Sequence, residues 1–247
     1  MVEQNKTGLN RISGVSAADL SAAARALQVA RSEDETLAAI VGAAVSTVPS
    51  AEQAGISLIH GAGAITARHP TSERIALVDQ LQATYREGPC VIALGETHMV
   101  VVDDLAAEAA RWPRFAPEAA AHGVASMLSL PLFTSADSLG ALNLYSSQHA
   151  SFTPDSHVVG ELFAAQAAIA LTGARHQTQL EQALRSRDMI GQAKGILMER
   201  FGISADDAFA MLVQSSQNTN VKLVDVAQWL TGSTAGAAEQ VSGGPIG

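Results

Sequence analysis

The side chains best suited to chemistry gather late in the chain. Arg187, Lys194, Arg200 and Lys222 are cations suited to phosphates or base edges. Gln192, Ser216, Gln217 and Asn220 offer hydrogen bonds to unstacked bases. Gly191 and Gly195 lie four residues apart, on one side of a helix. Each costs about 1 kcal/mol relative to Ala in a helix interior. Their use is close approach, either by another helix or by a nucleic acid.

Elsewhere the chemistry is thin. Cys90 is the single cysteine, which excludes an internal disulfide framework and any multi-cysteine metal site. A lone Cys reads first as a small buried hydrophobe and second as a redox sensor if its pKa is low. The seven His residues are scattered, with no pair at i, i+4 and no zinc spacing. His60, His98, His122 and His149 read as surface or loop residues. Asp103-Asp104 reads as the cap of a helix beginning near Leu105, and Glu33-Asp34-Glu35 as the first turn of another helix. Neither forms an acid/base pair. Gly61-Ala62-Gly63 lacks the third glycine of a dinucleotide fingerprint, and no phosphate loop or Gly-x-Ser-x-Gly occurs. These absences leave no evident cofactor and point away from an enzyme.

The 247 residues carry a formal charge of −9, with 47% hydrophobic and only 4% aromatic residues. The charge is unevenly placed. Residues 1–173 hold nine basic and seventeen acidic residues, a balance of −8, whereas residues 174–232 hold six of each. The acidic part and the neutral part read as different modules. The whole-chain charge argues against an indiscriminate nucleic-acid coat but leaves room for a local site. The single Cys, the absence of a signal-like start and apolar runs short of the ~20 residues of a membrane span suggest a cytoplasmic protein.

The elements that must position these residues follow from periodicity. Leu37, Ile40, Val41, Ala44 and Val48 recur at helical spacing, and Pro49-Ser50 ends that helix. Ile56 and Leu58 alternate in a short strand that turns at His60–Gly63 into Ala64–Arg68. Residues 73–84 form a second helix, and Met99–Val102 a buried strand. Ser126–Phe133 puts Leu128, Leu130 and Leu132 on one face and pairs as a hairpin with Leu139–Ser146 through Thr134–Ser138. Pro154 opens a helix with no strong breaker before Phe201-Gly202 other than Gly173. Within it Leu162, Ile169, His176 and Ala183 share a heptad column, which reads either as cover for the sheet or as a dimer stalk. Ser204 caps the next helix, whose apolar stripe is Ala208, Phe209, Leu212 and Val213. Asn218–Asn220 turn into a third helix carrying Leu223, Val226, Ala227 and Leu230. Trp229, beside that stripe, reads as packing or interface rather than base stacking. Trp112, Pro113 and Phe115 read as cover over a sensor pocket lined by Ala and Val.

The fold expected is therefore an α+β sensor domain, a central antiparallel sheet with flanking helices, followed by an all-α three-helix module on a long linking helix. The boundaries expected are a mobile tail over 1–16, the sensor over 17–172, the helical module over 173–232 and a disordered tail over 233–247.

The run Ala193-Lys194-Gly195-Ile196-Leu197-Met198-Glu199-Arg200, with Ser216-Gln217-Asn218, Asn220, Lys222-Leu223 and Asp225-Val226-Ala227, resembles the ANTAR domain of bacterial antiterminators. Residues 33–172 resemble a GAF domain, a ligand-sensing fold, through Glu87-Gly88-Pro89-Cys90, Ser126–Leu132 and Gly140–Tyr145. The order resembles regulators of high-GC actinobacteria. The resemblance implies a homodimer that binds paired RNA stem-loops with short loops and promotes transcription antitermination, under control of an unknown small molecule. It implies RNA contacts by Arg187, Gln192, Lys194, Gly195, Arg200, Ser216, Gln217, Asn220 and Lys222. Val221 and Val224 stand where related sequences often carry basic residues, which leaves open a protein-interaction module that has lost RNA binding. A thiol-dependent GAF-fold reductase is a second alternative, weakened by the single cysteine.

Overall fold

The computed structural model describes residues 11–12, 15–60, 63–134 and 138–241. It comprises two compact units, Met1–His176 and Gln177–Gly247, with the boundary inside one helix.

Three strands with alternating character build the first unit. β3 (Gln53–His60), β6 (Ser126–Phe133) and β7 (Ser138–Ser146) are flanked by β4 (Ala64–Arg68) and β5 (Val100–Val102) in one antiparallel sheet of order β4-β3-β7-β6-β5. Both expected hairpins form, β3 with β4 and β6 with β7. Residues 61–62 and 135–137 of their turns lie outside the described residues.

A period of two sends successive side chains to opposite faces. Ile56, Leu58, Leu128, Leu130, Leu132, Leu142 and Leu144 all enter one core. That face is covered by α1 (Ala17–Val29), α2 (Glu33–Thr47) and the start of α6 (Pro154–Phe201). Met127 and Tyr145 enter a second core with Ile75, Ala93, Trp112 and Phe115, under α3 (Glu73–Tyr85), α4 (Pro89–Glu96) and α5 (Phe115–Ala121). The sheet is thus sandwiched between helices, as a fully buried sheet requires.

Local signals set several ends. Ser32 caps α2 by accepting the N–H of Glu35 at 3.1 Å, and three acids occupy that first turn, where the helix dipole favours them. Asp104 caps a short 3₁₀ helix, Leu105–Ala110, by accepting the N–H of Ala106 at 3.0 Å. α6 is one continuous helix of 48 residues. By length and composition alone it is apolar enough to cross a membrane. Its residues Val159, Phe163, Ala167 and Leu171 are instead buried against the leucine face, as in an amphipathic core helix.

Cys90 lies in the first turn of α4, which Pro89 opens. β1 (Arg11–Ile12) and β2 (Val15–Ser16) pair within the stretch expected as a tail.

The second unit packs the end of α6 with α7 (Ala205–Thr219) and α8 (Leu223–Val241). Ser204 caps α7 by accepting the N–H of Asp207 at 3.2 Å, and Asn220 ends it in the left-handed region at φ 53°. α8 continues to Val241, past the expected tail boundary, through the helix-favouring residues Ala235, Ala237 and Ala238; residues 242–247 lie outside the described residues. The core is small: Ala193, Leu197, Ala208, Leu212 and Ala227.

The sheet has a tight point where β7 crosses β3. A Cβ on Gly140 would lie 2.2 Å from the Ser57 carbonyl oxygen, a backbone atom with no room to shift. Gly140→Ala is therefore expected to destabilise the protein by about 2 kcal/mol or more, read as a lower urea midpoint for the sensor unfolding transition. An unchanged midpoint contradicts this packing.

Candidate RNA-binding face and sensor interior

The nine candidate RNA contacts distribute over α6, α7 and the turn between α7 and α8. Arg187 and Lys194 are seven residues apart on α6, two turns on one side of the helix. Gly191 lies between them on that side. Cβ atoms built on Gly191 and Gly195 would meet nothing within 4 Å. Packing against the described residues therefore does not explain either glycine, and both are exposed on α6. The Lys194 ammonium lies 5.8 Å from the Phe209 ring centroid, a cation–π contact that holds it over the start of α7.

Arg200 points elsewhere, since six residues beyond Lys194 is roughly 240° around the helix. It lines a cleft with Phe201, Met211 and Trp229. Gln192 stands on neither the Lys194 nor the Arg200 side. The α7–α8 turn commits two of its candidates to structure. The Ser216 hydroxyl donates to the Val221 carbonyl at 2.6 Å, and Asn220 supplies the left-handed cap. Gln217 and Lys222 are exposed beside them. Of the positions where cations are often found in related sequences, Val221 is exposed and Val224 half-buried.

Phe209, placed by periodicity in the apolar stripe, is 42% exposed, and Trp229, expected in packing or an interface, is 74% exposed. Trp229 has no packing role within its own unit comparable to that of Leu212 or Ala227, because so small a helical core cannot enclose an indole.

The sensor interior holds a polar cluster that sequence reasoning missed. Its members sit on the sheet face opposite the leucines. Asn143 in β7 lies between Gly55 of β3 and Ser129 of β6. Ser129 Oγ donates to Asn143 Oδ1 at 2.9 Å. Asn143 Nδ2 donates to Ser57 Oγ and to Asp79 Oδ1, each at 3.0 Å. The Tyr145 hydroxyl donates to the same Asp79 oxygen in a short hydrogen bond. Asp79 reaches this cluster from α3, and it is wholly buried.

Burial penalises the charged form of Asp79 more than Tyr145 and Asn143 favour it, so its carboxyl is pushed up to about 6. Its Oδ2 has no hydrogen-bond partner among the described residues. That oxygen packs on Gly55, where a Cβ would lie 2.1 Å from it. Gln82, also buried, accepts the Cys90 N–H at 3.0 Å. Burial pushes the Cys90 thiol up to about 12, the reverse of a reactive thiolate. Its environment supports the small-hydrophobe reading over the redox one.

Trp112 and Phe115 do cover this face, edge to face with centroids 6.1 Å apart. They share that face's core with Ile75, Met127 and Tyr145, not with Ala and Val alone. Glu87 fixes their approach: its carboxylate accepts the N–H of Arg114 at 2.9 Å and of Phe115 at 3.0 Å.

A carboxyl whose folded value exceeds its unfolded value of 3.8 binds its proton more tightly in the folded state. Its contribution to stability is present at low pH and lost as pH rises through about 6. Asp79→Asn keeps an acceptor for Tyr145 and Asn143 without the charge. The variant is expected to gain on the parent as pH rises from 4 to 7, by on the order of 3 kcal/mol, measured by urea unfolding across that range. Parallel pH profiles contradict the burial argument.

Residues 30–172 match the GAF domain family, and residues 178–230 match the ANTAR domain family. No curated protein matches the chain in sequence. Among solved structures, the chain is similar to the photosensory core module of the Stigmatella aurantiaca phytochrome, at 11% identity and a TM-score of 0.55, over 78% of this chain and 43% of that one. It is also similar to the GAF domain from an Acinetobacter phosphoenolpyruvate-protein phosphotransferase, at 12% identity and a TM-score of 0.49, over 64% and 93% of the two chains. A third similar structure is the free methionine-R-sulfoxide reductase from Neisseria meningitidis, at 16% identity and a TM-score of 0.46, over 64% and 88%. Such identities concern fold alone. An α+β sheet domain between helices, then a long helix and a helical module, with both segments matched, places the chain: it belongs to the GAF domain family and carries an ANTAR domain after its GAF domain.

Proposed function

We propose that this chain is a cytoplasmic, signal-responsive regulator that binds paired RNA stem-loops as a homodimer and promotes transcription antitermination, in the manner of actinobacterial GAF–ANTAR regulators. The observation that carries the RNA reading is the open side of α6, where Arg187 and Lys194 flank glycines with nothing over them. Cations at that spacing meet a phosphate backbone, and bare glycines let it approach. The neutral balance of the module makes the attraction local and selective rather than general.

The sensor domain takes a small-molecule signal in this reading. Enzymatic thiol chemistry is not supported by Cys90, which is buried with a raised thiol and has no second cysteine to pair with. Dimerisation is supported within the sensor unit by α6 itself. Val158, Leu162 and Ile169 are 44%, 49% and 64% exposed on one side of the helix. Ile169 also lines an apolar groove of about 640 Å³ with Met99, Pro131 and Phe133. A second copy of the chain is the natural cover for such a stripe.

A gel shift of the full chain with an RNA carrying two short-looped hairpins tests the RNA reading. Binding by the parent, lost in Lys194→Ala with Lys222→Ala, is the expected result. No binding by the parent favours the interaction module suggested by exposed Val221. Sedimentation tests the assembly: Ile169→Glu is expected to convert a dimer to a monomer, and an unchanged dimer places the interface elsewhere.

A further inference from the structure

Three helices of the second unit converge on a small cleft that the motif residues do not explain. Its floor is apolar, from Leu197, Leu212 and Val226, and its volume is about 250 Å³. That lies below the ~300–1,000 Å³ of sites for drug-sized ligands and suits a single flat ring system. Three features of the rim narrow its occupant. Trp229 is 74% exposed and Phe201 is 56% exposed, so two aromatic faces stand at the edge of one apolar cleft. Among the described residues that line it, Arg200 is the charged one. Ser215 adds a hydroxyl, which can donate or accept.

An indole left in water forfeits a large hydrophobic gain. A nucleobase that has left its stack has the complementary need: an aromatic face to stack on, a polar group at its edge, and a cation near its phosphate. We propose that this cleft receives one unstacked base of the bound RNA, stacked on Trp229, with Arg200 on the adjoining phosphate. The cleft is distinct from the Arg187–Lys194 side of α6, since Arg200 lies on a different side of that helix. It adds base recognition to what the open side supplies as phosphate contact. The inference rests on the RNA-binding reading above, and it differs from the sequence-based expectation that Trp229 serves packing or an interface rather than base stacking.

The test uses full-length protein and the two-hairpin RNA. The other tryptophan, Trp112, is 4% exposed, so Trp112→Phe leaves Trp229 as the sole reporter of an exposed indole. RNA addition is expected to quench its fluorescence. Trp229→Ala is expected to weaken binding about 5- to 150-fold, the range for losing one base–aromatic stack. Trp229→Phe, which keeps an aromatic face, is expected to recover most of that loss. Circular dichroism of each variant checks that the helices persist. RNA binding by the parent with no quenching and no loss in Trp229→Ala overturns the base site while leaving the RNA reading intact. Absence of RNA binding by the parent overturns both. If Trp229→Ala instead dissociates the oligomer in sedimentation without weakening RNA affinity, the cleft is a protein interface and the proposal fails.

Discussion

Removing one carboxyl from water organises a whole face of the sensor sheet. Asp79 is fully buried on α3, and a buried carboxyl must find donors or lose its charge. β7 provides them twice, through Asn143 and Tyr145, two residues apart and therefore on one face. β6 then holds Asn143 in place through Ser129, and β3 gives way at Gly55. Trp112 and Phe115 pack with Tyr145 in the apolar core of the same face. The opposite face needs none of this, since it is built from leucine and isoleucine and takes helices by simple burial. A sheet with one tolerant face and one exacting face couples a few polar residues to the strand register. A one-residue slip would exchange the leucines for the polar set.

The helical unit obeys the opposite economy. Five small or medium side chains make up its fully buried core, too few to enclose the remaining large ones. Met198, Phe201, Phe209, Met211 and Trp229 stay on the surface as a result. The chemistry of that surface is mixed: aromatic and thioether groups beside isolated cations, with charges in balance overall. Such a composition departs from that of an ordinary solvated helix face.

Much of the architecture was legible because its signals are local. Ser32, Asp104 and Ser204 each precede a helix and accept one of its first N–H groups. Leu128, Leu130 and Leu132 show their common face in the sequence itself. α4 was not legible, since Cys90-Val91-Ile92-Ala93 has no polar alternation to mark a helix against a strand. The Ser216 hydroxyl looked like a ligand for a base, yet its bond to Val221 closes a turn five residues long. Asp79 gave no sign at all. In sequence it is an acid in the middle of an amphipathic helix, and its partners Asn143 and Tyr145 lie 64 and 66 residues away.

The sequence by itself determined the order of the two domains, the alternation that splits the sheet into two faces, the caps, and the motif that carries Lys194 and Lys222. These depend on periods of two and 3.6 residues and on near neighbours. Tertiary structure alone decided which polar residues are buried and which apolar ones are not. Asp79 is enclosed because strands distant in the chain meet over it, and Trp229 is exposed because the helical unit closes on a core too small to cover it. Both outcomes depend on how much volume the assembled elements enclose, and no window of neighbouring residues contains that quantity.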